Sequence, residues 1–391
     1  AAYNCNNTSP YGFWIAEGGT GTLNISGSAA LTLASTGSGI VLGQLATGSG
    51  TLNLLGGNVT TKSLGKGAGA GTLNFNGGTL TANAASTTYL TGLTNAFVHS
   101  GGGTVNNGGN AITIGQALLA PTGNGVSASG LTVSGGGYID TPLVTITGDG
   151  TGATAVANID ASGNLTGITI TNPGTGYTTA PTFALTGGGI GNTGAISGTA
   201  TLVPNTSGGM TFGGAALTTL SGVNTYTGNS TVNSGTTLVL ASGAALKFAP
   251  GANNVSNKVT GTGTAAFYGS FNIDTTNAAV ADNNSWTLVD LTGKTYDTLL
   301  FNVPGFTEDE VENTWTKVDG DNTWVFDEDT GVLTLSVAAP AGYDSWVGGF
   351  GLGAGDQDPT DDPDGDGFNN LMEYALGGNP NSSDTSIAPS G

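Results

Sequence analysis

The sequence predicts an all-β fold: a right-handed parallel β-solenoid (β-helix) with an inserted β module, an antiparallel β C-terminal part and a short helical segment near the end of the chain. Apolar residues and Thr alternate in short runs, such as residues 51–54 (TLNL) and 236–240 (TTLVL), and this is the period-two pattern of strands. Similar blocks recur at intervals that suit the coils of a solenoid. The 71 glycines among 391 residues supply the turns. A disordered chain would lack the regularly spaced β-branched residues.

The repeated block begins with Gly-Thr and is clearest in the first third of the chain. It reads GTLNISG from residue 21, GTLNLLGGNVT from 50, GTLNFNGGTLT from 71 and GTVNNGGNAIT from 103. Strand alternation directs one apolar residue of each block to a common face, and these residues are Leu23, Leu52, Leu73 and Val105. The paired glycines that follow predict corners with positive φ, where the chain turns into its next strand. Residues 1–125 are therefore predicted to be solenoid repeats.

A different duplication follows and predicts an inserted β module over residues 126–204. The segment LTVSGGGYIDTPLVTITG from residue 131 realigns with ITITNPGTGYTTAPTFALTG from residue 168. In this alignment Tyr138 matches Tyr177, and Pro142 matches Pro181. We expect these residues to pack each turn against its strand. The alternative is that Tyr138 and Tyr177 stack against sugars.

The remaining chain divides into three parts by composition. Residues 205–252 return to the solenoid pattern. Residues 253–340 form an acidic, aromatic-rich β cap with Trp286, Trp315 and Trp324, in which Asp319-Gly320 and Thr330-Gly331 predict turns between antiparallel strands. Such a cap would cover the open edge of the last coil. Residues 341–391 contain an acidic loop and a tail.

Charge is distributed very unevenly. Before Asp274 the chain has four acids and four Lys, whereas from Asp274 onward it has 22 acids and two Lys, so the last third carries the whole net charge of −20. There is no Arg. A neutral body with an acidic end excludes nucleic acid, which requires clustered basic residues. It excludes anionic membrane surfaces for the same reason. Divalent cations are the ligands that it favours.

The sharpest motif lies in the acidic loop and predicts a calcium site. Residues 362–373 (DPDGDGFNNLME) match the loop pattern D-x-D-x-D-G-x5-E at every position. The predicted ligands are the carboxylates of Asp362, Asp364, Asp366 and Glu373, the carbonyl of Phe368, and Asn370 directly or through water. Glu373 would bind in the bidentate mode, and Gly367 permits the sharp turn. A merely acidic linker is the alternative.

Two short helices are predicted around this loop. Leu371, Met372, Tyr374 and Leu376 fit an exiting helix that Gly377-Gly378 would end. A helix over residues 345–350, with Asp344 as its N-cap, would supply a packing partner through Trp346 and Phe350.

Catalytic constellations are missing from the sequence, so no enzymatic activity is predicted. The solenoid part has only Glu17, Asp140, Asp149 and Asp160 as acids, and these lie on different repeats. A polysaccharide-degrading β-helix enzyme, the least favoured alternative, needs paired carboxylates or a strong base beside bound calcium. His99 has no Cys and no second His with which to form a metal site or a nucleophilic triad.

Two segments resemble a known family. Residues 220–246 (LSGVNTYTGNSTVNSGTTLVLASGAAL) resemble the autotransporter-associated β-strand repeat, and residues 97–121 (FVHSGGGTVNNGGNAITIGQALLAP) resemble sequence that precedes such repeats in large surface proteins of Verrucomicrobia-like bacteria. The loop at residues 362–373 is similar to the calcium loops of dockerins and thrombospondin-type repeats. These resemblances imply a β-solenoid at a bacterial cell surface and no particular activity.

The function expected from these observations is that of a secreted or cell-surface structural protein, stabilised by calcium, whose partners are copies of itself in a fibre, sheath or surface layer. The alternative is an adhesin or carbohydrate-binding surface protein with a polysaccharide partner. No apolar run is long enough for a membrane span, and no signal peptide is visible. We expect a processed or partial product of a longer precursor. Cys5 is the only cysteine, so it predicts no disulfide within the chain.

Overall fold

The structure is a computed structural model, which describes residues 12–34, 39–338, 342–384 and 387, and the backbone of residues 2–5. The side chain of Cys5 lies outside the described residues. The chain divides into two compact units. The first consists of residues 1–279, 284–317 and 325–334, and the second of residues 280–283, 318–324 and 335–391.

Strands make up most of the fold, and they fall into three groups along the chain. The first group is β1 (Ala2–Cys5), β2 (Phe13–Ile15), β3 (Gly19–Ser26), β4 (Ala30–Leu33), β5 (Ile40–Leu42), β6 (Gly48–Leu55), β7 (Asn58–Thr61), β8 (Leu64–Lys66), β9 (Ala70–Phe75), β10 (Thr79–Ala82), β11 (Ser86–Leu90), β12 (Asn95–Val98), β13 (Gly103–Asn106) and β14 (Ile112–Ile114). The second is β15 (Asn124–Ser127), β16 (Leu131–Ser134), β17 (Leu143–Thr147), β18 (Thr154–Ile159), β19 (Leu165–Asn172), β20 (Thr182–Thr186), β21 (Ala195–Gly198) and β22 (Thr201–Pro204).

The third group begins with the strands β23 (Met210–Gly213), β24 (Leu217–Leu220), β25 (Val223–Asn224), β26 (Ser230–Val232), β27 (Thr237–Leu240), β28 (Ala245–Phe248), β29 (Val259–Gly261), β30 (Thr264–Phe267) and β31 (Ser270–Ile273). It continues with β32 (Ser285–Thr287), β33 (Val289–Asp290), β34 (Gly293–Tyr296), β35 (Thr307–Asp309), β36 (Thr314–Asp319), β37 (Asn322–Asp327) and β38 (Val332–Val337). A single 3-10 turn covers Thr275–Asn277. The helices are α1 (Tyr343–Gly348) and α2 (Asn370–Leu376).

The first group, together with β23–β31, β33 and β34 of the third group, forms a parallel β-solenoid, as the sequence predicts. Two nine-stranded sheets run along it, in the orders β1-β4-β7-β10-β13-β23-β26-β29-β33 and β2-β5-β8-β11-β14-β24-β27-β30-β34. The third side is the sheet β12-β9-β6-β3 and, further along, the sheet β25-β28-β31. Neighbours in each sheet are one coil apart in sequence, except where the second group interrupts the chain.

The repeated blocks at residues 21, 50 and 71 stack in register on the third side. Leu23 pairs with Leu52, and Leu52 pairs with Leu73. Leu52 and Leu73 are completely buried, and full burial of such a side chain contributes about 2 kcal/mol. Close packing also explains the first glycine of the block, because a Cβ on Gly50 would lie 2.3 Å from the carbonyl oxygen of Ile15. At the paired corners, Gly56 and Gly77 have φ of 113° and 103°.

The expected placement of the fourth block is wrong. Val105 lies on β13 and pairs with Leu80 and Phe212 in the first nine-stranded sheet, not with Leu73. The place beside Leu73 is taken by Ala96 of β12, whose sequence does not resemble the block. The coils also continue past residue 252, because β29, β30, β31, β33 and β34 are parallel rungs.

The second group is an antiparallel module that leaves and rejoins the solenoid at adjacent points. Its base is made by β15 with β22 and β16 with β21, and above it lies the sheet β19-β18-β17-β20. Tyr138 and Tyr177 are only 5% and 3% exposed and lie in its two apolar clusters. The expected packing role is confirmed. Sugar stacking requires exposed rings, so that alternative is wrong for these two residues.

A buried polar seam joins this module to the third side of the solenoid. The amide of Asn74 donates to Asn53 Oδ1 at 2.8 Å, and Asn53 Nδ2 donates to Asn24 Oδ1 at 2.7 Å. Asn53 Nδ2 also donates to Thr154 Oγ1 of the module at 2.9 Å. Asn53 and Asn74 of the repeated block are therefore buried, and the module covers this part of the third side.

The antiparallel C-terminal sheet has the order β32-β38-β37-β36-β35. Gly320 and Gly331 occupy its tight turns with φ of 60° and 76°, as predicted from their sequence positions. Trp315 and Phe326 of this sheet belong to a cluster of aromatic rings of the first unit whose centroids lie 4.8–6.2 Å apart. These rings belong to Phe248, Phe267, Phe271, Tyr296, Phe301, Trp315 and Phe326. Trp315 Nε1 donates to Glu328 Oε1 at 2.7 Å.

The second unit contains both helices. Helix α1 begins after Gly342, so Asp344 lies in its first turn and the prediction of Asp344 as N-cap is wrong. Trp346 packs against Tyr374 of α2 and against Phe350, with ring centroids 5.4 and 4.9 Å apart. Helix α2 ends at Gly377 in the left-handed conformation, as predicted. Within the described part of the chain, no helix is long and apolar enough to cross a lipid bilayer.

Candidate metal centre

The loop at residues 362–368 folds on itself through its own carboxylates. Asp362 accepts hydrogen bonds from the backbone N–H groups of Gly365 and Gly367, at 2.9 and 3.0 Å. Asp364 Oδ1 accepts from the N–H of Asp366 at 3.2 Å. Gly365 and Gly367 have φ of 75° and 93°, conformations that suit glycine. These turns place the three carboxylates on one side of the loop.

Helix α2 brings a fourth carboxylate to this loop. The helix starts at Asn370, and the Asn369 side chain caps it by accepting from the N–H of Met372 at 2.9 Å. Glu373 lies in the first turn and is completely buried. The loop and the cap therefore fix the direction in which Glu373 projects.

The structure brings five carboxylates together in two overlapping groups. Oxygens of Asp362, Asp364 and Asp366 lie within 4.8 Å of one another, and so do oxygens of Asp366, Glu373 and Asp384. Among the described residues, no hydrogen-bond donor reaches four of the buried oxygens at this place. They are Asp364 Oδ2, Glu373 Oε1, Glu373 Oε2 and Asp384 Oδ1.

The electrostatics of the cluster are unfavourable in the absence of a cation. Burial raises the pKa of Glu373 to about 7, and the charges of Asp364, Asp384, Asp366 and Asp362 add to the effect in that order. Burial also raises the pKa of Asp364. Buried carboxylates in proteins are paired or coordinate metals, because an isolated buried charge costs several kcal/mol or more.

The donor set fits a hard divalent cation. The two groups contain carboxylate oxygens only, with no Cys or His from the described residues. Calcium prefers six to eight such oxygens and accepts irregular geometry, whereas softer metals prefer sulfur or imidazole. Four buried oxygens without donors are compatible with direct ligation of one ion.

The predicted ligands do not all take equivalent positions. Asp362, Asp364, Asp366 and Glu373 are in the two groups. Phe368 lies within the loop and donates its N–H to Asp366 Oδ1 at 2.8 Å. The amide of Asn370 donates to the carbonyls of Asp356 and Asp358, both at 2.9 Å, and so ties the start of α2 to the preceding chain.

Asp384 was missed by the sequence interpretation because it lies outside the motif, eleven residues after Glu373. The available signal was weak: it is the single acid in the tail that follows the Gly377-Gly378 stop. Nothing in the local sequence shows that this tail turns back to the loop.

Three titratable residues of the first unit, His99, Asp149 and Asp160, have hydrogen-bond partners. His99 is 2% exposed and lies between the amides of Asn74 and Asn172, at 3.4 and 3.1 Å from its Nε2. Asp149 accepts hydrogen bonds from Thr178 and Thr179, and the bond from the Thr178 hydroxyl is the main cause of its lowered pKa. Asp160 accepts from Ser162 and Asn164 in a turn of the module.

Comparison of the sequence with protein-family models found no match, and comparison with curated proteins found none either.

Proposed function

We propose that this chain is a calcium-stabilised structural protein and that its second unit is held together by one bound calcium ion. The observation that carries the proposal is Glu373, a completely buried carboxylate with no hydrogen-bond donor at either oxygen among the described residues. A divalent cation bound by Glu373 and the four acids around it would offset two of their negative charges. An acidic linker, the alternative, would leave these carboxylates in water.

The distribution of chemistry supports a structural role over catalysis. In the inserted module, Asp140, Asp149 and Asp160 accept hydrogen bonds from nearby Thr and Asn residues. On the later coils, Asp274 and Asp290 form ion pairs with Lys247 and Lys258. His99 is buried among amides and apolar neighbours. A glycosidase would need two accessible carboxylates facing one groove.

We further propose that the protein acts at a bacterial cell surface and that its partners are copies of itself. The resemblance of residues 220–246 to surface-protein repeats supports the location. Within the described residues, strands β2 and β3 each have a paired strand on one side only, which leaves backbone groups free to pair with another chain. Burial of Tyr138 and Tyr177 removes the specific support for a carbohydrate-binding alternative.

The calcium part is tested by calorimetric titration of the purified chain with calcium chloride. We expect one ion to bind with a dissociation constant of roughly 10⁻⁴–10⁻³ M, which is the range of extracellular calcium modules. Glu373→Gln should abolish it. Asp344→Asn removes the same charge from an exposed position in α1 and should have no effect. Absence of binding by the unaltered protein at millimolar calcium would refute this part.

Assembly is tested separately by light scattering and negative-stain microscopy, with and without calcium. We expect particles larger than one chain, formed through contacts of at least roughly 1,000 Å². Parallel assays on pectin and alginate test for turnover. A protein that stays monomeric under both conditions and cleaves either polymer would overturn the structural proposal.

A further inference from the structure

We propose that Asp384 is a direct ligand of the bound calcium ion and that the C-terminal tail thereby closes the site. This inference rests on the proposed calcium function. It adds a ligand that lies outside the loop motif and comes from a third segment of the chain.

The position of the Asp384 side chain supports direct ligation. One of its oxygens lies within 4.8 Å of oxygens of both Asp366 and Glu373. Its Oδ1 is buried and no donor from the described residues reaches it. Its Oδ2 accepts from the N–H of Asn379 at 2.7 Å, which fixes the rotation of the carboxylate. Asp384 therefore offers one oxygen to the cluster while the other is held by backbone.

The path of the tail explains how this residue returns to the loop. After α2 ends at Gly377, a turn closes with a hydrogen bond from the N–H of Ser382 to the carbonyl of Asn379 at 2.9 Å. The N–H of Asp384 then donates to Asp366 Oδ2 at 2.8 Å. Asn381 Nδ2 donates to the carbonyl of Phe350 at 2.8 Å. The tail is thus attached to the loop and to the chain after α1.

The second, independent observation is the burial of Glu373. Its two oxygens are completely enclosed, and they belong to the same group as Asp366 and Asp384. Without Asp384, the coordination shell of the ion would contain ligands from the loop and from α2 only. With Asp384, an ion joins the loop, α2 and the tail. An additional anionic ligand strengthens calcium binding, because affinity rises with ligand charge and rigidity.

The test is calcium affinity of the full chain and of three variants. Asp384→Asn should weaken binding by about tenfold or more. Ser383→Ala, an exposed neighbour, should bind as the unaltered protein does. If the unaltered protein binds calcium, Glu373→Gln does not, and Asp384→Asn binds normally, this inference is wrong while the proposed function stands. If the unaltered protein does not bind, the proposed function itself has failed.

A second readout separates ligation from a structural role of Asp384. Terbium luminescence lifetimes in light and heavy water count the water molecules bound to the ion, and terbium substitutes for calcium in oxygen sites. Loss of a direct ligand in Asp384→Ala should add about one bound water. An unchanged water count together with weaker binding would show that Asp384 only positions the loop, and would overturn the inference.

Discussion

Asn172 Nδ2 lies 3.1 Å from His99 Nε2, and this contact joins the inserted module to the solenoid. His99 follows β12, and Asn172 ends β19. Both side chains are buried, and Asn172 Oδ1 accepts from the N–H of Gly174 at 2.7 Å. Because Gly174 donates to Asn172 Oδ1, Asn172 Nδ2 is the atom that faces His99, and it donates to Nε2 when the imidazole is neutral with its proton on Nδ1. In the other tautomer, Nε2 would donate to Asn74 Oδ1, which lies 3.4 Å from it.

The first prediction concerns this amide. Asn172→Ala removes the donor to His99 and the acceptor for Gly174, so it should lower the free energy of unfolding by about 2 kcal/mol. The matched control is Asn158→Ala, an exposed amide of the same module, which should change stability by less than about 0.5 kcal/mol. Urea unfolding followed by circular dichroism measures both. Equal midpoints for the two variants would contradict the role given to Asn172.

The second prediction is a pH dependence that arises from His99. Burial lowers the pKa of His99 from 6.5 to about 4. Above pH 6.5 His99 is neutral in both the folded and the unfolded state, so it does not make the free energy of unfolding depend on pH. Between pH 6.5 and 4 only the unfolded state binds the proton, and stability should fall by up to about 3 kcal/mol. His99→Gln should lack this part of the pH dependence. Identical slopes for both proteins would exclude His99 as the cause.

The third prediction concerns the first glycine of the repeated block. In Gly50→Ala, the new Cβ would lie 2.3 Å from the Ile15 carbonyl oxygen, and neither backbone can move without disturbing its coil. We expect Gly50→Ala to lower the free energy of unfolding by about 3 kcal/mol. Gly355→Ala is the control, because a Cβ there meets nothing within 4 Å. Thermal unfolding compares them, and a Gly50→Ala protein as stable as the control would disprove the packing argument.

The fourth prediction is the effect of calcium removal. Chelation leaves five carboxylates close together without a counterion, so the loop and α2 should open. Limited proteolysis with mass spectrometry should then show cleavage within residues 342–384, whereas the solenoid remains resistant. Addition of calcium should restore protection in the unaltered protein and not in Glu373→Gln. Cleavage that is independent of calcium would contradict the role of the ion.

The sequence was sufficient to predict the parallel solenoid and the register of Leu23, Leu52 and Leu73, because strand alternation and repeat spacing are local patterns. It was not sufficient to place Val105. All three sides of the solenoid use the same alternation of apolar and small polar residues, so similarity between blocks does not identify the side. The neighbour of Leu73 is Ala96, and this pairing depends on how the coil closes in three dimensions.

At the metal site, too, the sequence predicts the residues of one local motif but not a residue that reaches the site from another segment. Loop spacing predicted Asp362, Asp364, Asp366 and Glu373 as neighbours, because twelve consecutive residues with a glycine turn determine their separation. Asp384 reaches the cluster through a turn after α2 and a hydrogen bond to Asp366. These contacts form between segments without any motif, so the sequence pattern does not reveal them.

The inserted module has a consequence for the order of folding. Asn53 and Asn74, which are hydrogen-bonded on adjacent coils, are 21 residues apart in the chain. Asn107 donates to the carbonyl of Ala216, also on an adjacent coil, but these residues are 109 apart because the module lies between them. Closing the longer loop costs about 1.5 kcal/mol more in chain entropy. Once the module has formed, Asn124 is paired with Pro204, so the two ends of the long loop are already close together. The extra entropy cost of closing the loop is then no longer paid when the solenoid coils pair. We therefore expect the module to fold first, so that the two halves of the solenoid meet as near neighbours in the chain.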